Sequence, residues 1–125
     1  MVSESLHTYL AADTSIAAMV DAASIGYITV NSDDATYPRI IYKKISSPAM
    51  HQATDEWQRW RFYALAENKF DVDTLLGYIT DRLNNVYGTV GTDDIDNISK
   101  IDEGITIKRS DGIYEGYADF RINYH

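Results

Sequence analysis

The chain has 125 residues, of which 19 are acidic and 11 are lysine or arginine, and its formal net charge is -8. This length predicts a single domain, residues 1–125, with one hydrophobic core. Cysteine is absent, which excludes disulfides, thiolate catalysis and cysteine metal sites. The negative charge argues against ordinary nucleic-acid binding, in which lysine and arginine neutralise phosphates.

The sequence carries no sign of a membrane segment or a secretory leader. Its N-terminus lacks a basic region followed by an apolar run, and no apolar stretch approaches the ~20 residues that a membrane span needs. We therefore expect a soluble protein that is made in a cytoplasm and has no membrane partner.

Helical spacing comes first in the chain and strand-like segments follow it. Apolar residues up to Ala23 recur at helical intervals, with Asp13 or Thr14 restarting the pattern, which predicts one kinked helix or two short ones. The β-branched and aromatic runs Ile25–Val30 and Arg39–Ile45 predict two strands, the second opened by Pro38. A third strand is predicted over Trp57–Ala66, where apolar and polar residues alternate.

The strongest periodic pattern lies between Asp71 and Gly88 and predicts the main helix. Asp71 is placed to accept hydrogen bonds from the first turn, and Gly88 to supply the left-handed residue that ends such helices. One stripe of this helix should be buried, since its apolar residues recur at offsets of three and four. The stripe consists of Val72, Leu75, Leu76, Ile79, Leu83 and Val86.

Two polar segments are predicted to be loops. Ser46–Glu56 has no periodicity and contains a proline, and Thr89–Ser99 is acidic with two isolated isoleucines. The acidic residues of the second segment raise the question of calcium binding. The spacing from Asp94 fails the EF-hand pattern, because Ser99 stands where glycine is required and Ile105 replaces the bidentate glutamate. We therefore predict no metal site.

The end of the chain predicts a hairpin around a two-residue turn at Asp111–Gly112. In that register Lys108 faces Glu115, and one face collects the residues of a buried row. That row is Ile105, Ile107, Ala118, Phe120, Ile122 and Tyr124, while Lys108, Glu115, Tyr117, Asp119 and Arg121 take the other face. The order of elements predicts an α+β fold with a mainly antiparallel β-sheet and helices packed on one face.

No catalytic signature is present. The histidines at positions 7, 51 and 125 have no spacing typical of a metal pair or a triad. No serine lies in a nucleophile elbow, and the segment Gly88–Gly91 lacks the lysine of a phosphate loop. The sequence therefore predicts no catalytic residues, no cofactor and no enzymatic activity.

Protein contact is the function class for which candidate residues exist. Tryptophan and arginine, which are typical interface anchors, lie together on the third strand, although these arginines would equally well balance acidic neighbours on a solvent-facing sheet. The two predicted loops carry further apolar side chains that could order on a partner. The candidate interface residues are Met50, His51, Trp57, Arg59, Arg61, Ile95 and Ile98.

Several of these patterns, taken in order, resemble the tail-completion or tail-terminator proteins of long-tailed bacteriophages, also called tail-to-head joining proteins. The segments that carry the resemblance are Asp13–Val20, Tyr37–Tyr42, Trp60–Ala64, the helix from Asp71 and the closing Phe120–Tyr124. They cover nearly the whole chain. The acidic stretch Thr92–Asn97 has no clear counterpart in the family pattern.

The resemblance implies a sheet with helices packed on it and a hexameric ring at the end of the tail tube. Such a ring stops tube polymerisation and offers a surface to the head–tail connector, so the implied partners are other copies, the tail tube protein and the connector protein. An acidic channel would let DNA pass without binding. The implied location is the tail or neck of a virion, with the host cytoplasm during assembly. The alternatives are a head-side neck or connector protein and, in another class, a small α+β ligand-binding domain or enzyme.

Overall fold

The computed structural model describes residues 2–27, 37–46, 56–90 and 93–124. Two short helices, α1 (Val2–Ala11) and α2 (Thr14–Met19), open the chain, and a single 3-10 turn (Ala22–Ser24) leads into the sheet. The strands are β1 (Ile25–Tyr27), β2 (Arg39–Ser46), β3 (Glu56–Ala66), β4 (Gly88–Val90), β5 (Asp93–Glu103), β6 (Ile107–Lys108) and β7 (Tyr114–Tyr124). The third helix, α3 (Lys69–Leu83), lies between β3 and β4.

These strands form one mixed sheet in the order β1-β2-β3-β7-β5-β4, with β6 paired to β7 beside the end of β5. The pairings are antiparallel except for β1 with β2. The helices pack against one face, and one continuous core lies between the two layers. The predicted α+β class and the mainly antiparallel sheet are confirmed.

The alternation of apolar and polar side chains along β3 determines which face of the sheet the helices cover. Trp60, Phe62, Ala64 and Ala66 are buried in the core, as the sequence predicts, while the residues between Trp57 and Tyr63 that alternate with them point to the opposite face. Aromatic contact continues this row across the sheet, because the Phe62 ring packs edge to face against the Phe120 ring on β7. The core is thus built on the inward face of the central strands.

Helix α3 supplies the helical side of that core, and its ends differ from the prediction. The predicted stripe from Val72 to Leu83 is buried, but the helix begins at Lys69, since the Asn68 side chain accepts a hydrogen bond from the Asp71 amide at 2.8 Å. Its end lies at Leu83 rather than near Gly88. Asn85, with φ of 66°, takes the left-handed conformation after the helix, which asparagine tolerates better than most residues. Gly88 also has a positive φ, 97°, but it begins β4 and does not end the helix.

The prediction of an acidic loop over Thr89–Ser99 was wrong. The described residues of this segment lie in β4 and β5. Ile95 and Ile98 are only 4% and 0% exposed in the core. A spacing of three cannot place two side chains on one face of a regular strand. A bulge between Ile95 and Asn97 adds one residue to β5 and turns both isoleucines inward.

The predicted hairpin exists, but its register is shifted by one residue. Ile107 pairs with Glu115, because the loop has three residues and Gly112 has φ of 88°, which is typical of a three-residue hairpin with a bulge. A one-residue shift moves side chains to the other face. Ile105 and Ile107 are therefore 88% and 57% exposed, and their predicted burial was wrong.

Candidate interaction surface

The face of the sheet opposite the helices, which we call the open face, carries most of the notable polar chemistry. No helix in the described parts of the chain covers it. Strand pairing places its residues in rows, such as Lys43 beside Arg61, Arg61 beside Asp119 and Asp119 beside Asp102. The cations of this face are Arg39, Lys43, Arg59, Arg61 and Arg121, five of the 11 in an acidic chain.

Asp119 on β7 is the centre of the open face. Its carboxylate accepts two hydrogen bonds from Arg61, from Nε at 2.7 Å and from Nη2 at 3.0 Å. It accepts two more from Arg59, with Nε at 3.0 Å. The Asp119 side chain is 0% exposed although no helix covers it, because the arginine side chains lie over it. Charge-assisted bonds of this kind are among the strongest in proteins.

Burial and charge act on Asp119 in opposite directions. Removal from water raises the pKa of this carboxyl, but the hydrogen bonds from Arg61 and Arg59 and their positive charges outweigh that effect, so its pKa lies below the usual value. The hydrogen bonding between Arg61 and Asp119 also raises the pKa of the Arg61 guanidinium. The cluster is therefore fully ionised at neutral pH.

Arginine also stacks on aromatic rings across this face. The Arg61 guanidinium lies 4.0 Å from the centre of the Tyr117 ring, and Arg121 lies 4.6 Å from the centre of Trp57. Arg59 and Arg121 are direct cross-strand neighbours, and their repulsion is relieved because they turn to different partners. Stacking restricts the orientations of these long side chains.

Gly104 makes room for one of these rings. A Cβ atom at this position would lie 2.0 Å from Cε1 of Tyr117. The Tyr117 ring therefore lies directly over the backbone of the segment between β5 and β6, where only glycine fits. This contact fixes the ring on which Arg61 stacks.

Arg39 stands apart from the cluster at the start of β2. Its side chain is almost fully buried, yet Nε and Nη2 have no hydrogen-bond partner in the part of the chain that the structure describes. The guanidinium lies 5.3 Å from the centre of the Tyr37 ring, which is a long cation–π distance. Leaving two buried guanidinium nitrogens unpaired is energetically unfavourable.

The candidate interface residues of the sequence fall into three groups. Trp57, Arg59 and Arg61 lie on the open face, and both arginines balance Asp119, as the alternative interpretation expected. Met50 and His51 lie outside the described residues. The remaining two candidates, Ile95 and Ile98, belong to the core and cannot contact a partner from the folded surface.

The sequence analysis did not identify Asp119 and Arg39 as notable residues of the open face. The signal for Asp119 was present, because alternation along the last strand already placed it among polar neighbours on the face opposite Phe120. Its partners could not be identified, since the pairing of β3 with β7 joins positions about 60 residues apart. Nothing in the sequence marks Arg39 as buried.

Two other polar clefts lie on the helical side of the molecule. One of about 350 Å³ holds Arg82, whose guanidinium lies 3.8 Å from the centre of the Tyr9 ring and 3.8 Å from the Asp13 carboxylate. A groove of about 440 Å³ lies between the start of α3 and the segment after β5, and there Thr106 donates a hydrogen bond to Asp73 at 2.9 Å. Within residues 2–27, 37–46, 56–90 and 93–124, no three histidine, aspartate or glutamate residues are grouped as a metal site would require. In the same ranges, no helix is long and apolar enough to cross a membrane.

This fold is similar to one chain of a solved structure described as "Virion of native gene transfer agent (GTA) particle". The superposition has a TM-score of 0.73 and covers 98% of this chain and 93% of that chain, at 9% sequence identity. At this identity the likeness shows a shared fold. No protein-family model matches the sequence, and no curated protein matches it either.

Proposed function

We propose that this chain is a structural protein of a phage-like virion, where it closes the end of the tail tube as a hexameric ring and joins it to the head connector. The observation that carries the proposal is the fold shared with a chain of the gene transfer agent virion over nearly the full length of both chains. The order of sequence segments that resembles tail-terminator proteins supports it independently.

The open face suits a protein that assembles with others. Arginine, tyrosine and tryptophan are the residue types that anchor protein interfaces, and Arg59, Arg61 and Tyr117 are already fixed by the Asp119 cluster and by stacking. A surface whose side chains are ordered in advance loses less entropy on binding.

Native mass spectrometry of the full chain, over a range of protein concentrations and with or without magnesium, tests the ring. We expect a closed oligomer, with the hexamer as the largest stable species. Co-sedimentation with purified tail tubes then tests the partner. Sedimentation with head connectors but not with tubes would favour a head-side neck protein, and association with neither would refute the proposal.

A further inference from the structure

Three cations of the open face have no carboxylate partner among the described residues. Arg59 and Arg61 both pair with Asp119. Lys43 stacks on an aromatic ring, and Arg121 stacks on Trp57 and donates a hydrogen bond to the Asn123 side chain at 3.2 Å. The third, Arg39, is only 5% exposed, so its side chain is not accessible to a partner. The open face therefore retains positive charge in a chain whose net charge is -8.

The opposite chemistry lies on the outer side of α3, on the far side of the molecule. Phe70, Asp73, Gly77 and Asp81 are spaced by three and four residues, so they form one stripe along the helix, and all four are exposed. The only ionised groups of this stripe are carboxylates. Phe70 at one end of the stripe is 77% exposed.

Gly77 at the middle of this stripe is not explained by packing within the chain. A Cβ atom there would meet nothing within 4 Å. Glycine inside a helix costs about 1 kcal/mol relative to alanine. Close approach of another molecule to the helix backbone gives the glycine a role, since a flat surface can then lie directly on α3.

We propose that the open face of one copy docks on the outer side of α3 of the next copy. Lys43 and Arg121, the accessible cations of this face, then meet the carboxylates of Asp73 and Asp81. The two surfaces differ, so the contact is head-to-tail, and such contacts form a closed ring when the rotation from one copy to the next divides a full turn. The inference rests on the proposed ring and identifies the two surfaces that build it.

Cross-linking of full-length single-cysteine variants tests this contact, because the natural chain contains no cysteine. Lys43→Cys and Asp81→Cys are mixed as separate proteins, one with a mass tag, and treated with a short bismaleimide. The matched control replaces Lys43→Cys with Lys44→Cys. These neighbours in β2 point to opposite faces of the sheet, since Lys43 pairs with Arg61 and Lys44 with Trp60.

We expect the heterodimer yield of the Lys43 and Asp81 pair to exceed that of the Lys44 control about tenfold, the factor that corresponds to ~1.4 kcal/mol of contact. Adding Arg121→Glu to the Lys43→Cys protein should reduce this yield, because it brings like charges together. Equal yields for the two pairs would overturn the inference. A ring in native mass spectrometry together with equal yields would leave the proposed function standing and show that other surfaces build it.

Binding of DNA by the open face would also overturn this assignment. Retention of a short duplex by the natural chain, lost in Lys43→Glu and kept in Lys44→Glu, would assign the cations to phosphates. We expect no retention by either variant or by the natural chain at physiological salt.

Discussion

Replacement of Asp119 by asparagine should destabilise the fold more than any other change on the open face. The buried carboxylate accepts four hydrogen bonds from Arg59 and Arg61. Removing one partner of a buried ion pair costs about 3–5 kcal/mol. The arginine side chains are 33% and 24% exposed, so water partly replaces the lost acceptors, and we expect about 2–3 kcal/mol for Asp119→Asn.

Urea unfolding, followed by the fluorescence of Trp57 and Trp60, measures this loss. With a slope of about 1.5 kcal/mol/M, the midpoint should fall by about 1.5 M. Asp102→Asn is the control, because Asp102 is half exposed and reaches Arg59 only at 3.6 Å, and it should cost less than about 0.5 kcal/mol. A loss below about 0.5 kcal/mol for Asp119→Asn would refute the role given to the cluster.

The pH dependence of the same measurement follows from the lowered pKa of Asp119. The folded state binds the proton more weakly than the unfolded state, so the stabilisation is fully present above the unfolded pKa of about 3.9. It is lost as the pH falls through the folded pKa. The difference in stability between the natural chain and Asp119→Asn should therefore be constant above about pH 5 and shrink below about pH 4.

Four further substitutions test the packing and the cap of α3. Ile98→Ala should lower the free energy of unfolding in urea by about 2–5 kcal/mol, because Ile98 is fully buried. Ile105→Ala, at an exposed position, should change it by less than about 0.5 kcal/mol. A larger loss for Ile105→Ala than for Ile98→Ala would support the hairpin register predicted from the sequence. Gly104→Ala should cost about 1–3 kcal/mol and displace the Tyr117 ring, visible in near-ultraviolet circular dichroism, and an unchanged spectrum would contradict the close approach. Asn68→Ala should lower the thermal midpoint by the equivalent of about 1 kcal/mol through loss of the α3 cap, and no change would argue against that cap.

Local patterns in the sequence were sufficient for the elements with regular periodicity. The buried stripe of α3 and the inward residues of β3 follow the helix and strand periods without interruption, so their faces are predictable from Val72 to Leu83 and from Trp60 to Ala66. The α+β class follows from their order. These segments need no knowledge of distant partners.

Irregular elements could not be predicted, since their geometry depends on neighbouring strands. The two isoleucines of β5 face the core only because of the bulge before Asn97, and no periodicity in the sequence indicates a bulge there. The register of the last hairpin depended on one residue of loop length around Gly112. Asp119 became a central residue only when β3 was paired with β7, which joins segments far apart in the chain.

Locating the chain within an assembled particle tests the proposed function most directly. The full chain carrying a small affinity tag is expressed in the cells that produce the particles, and the purified particles are labelled with gold and imaged by electron microscopy. The proposal predicts one labelled position per particle, at the junction of tail and head. Label elsewhere on the particle, or a tagged chain that stays in the supernatant while particles form, would contradict it.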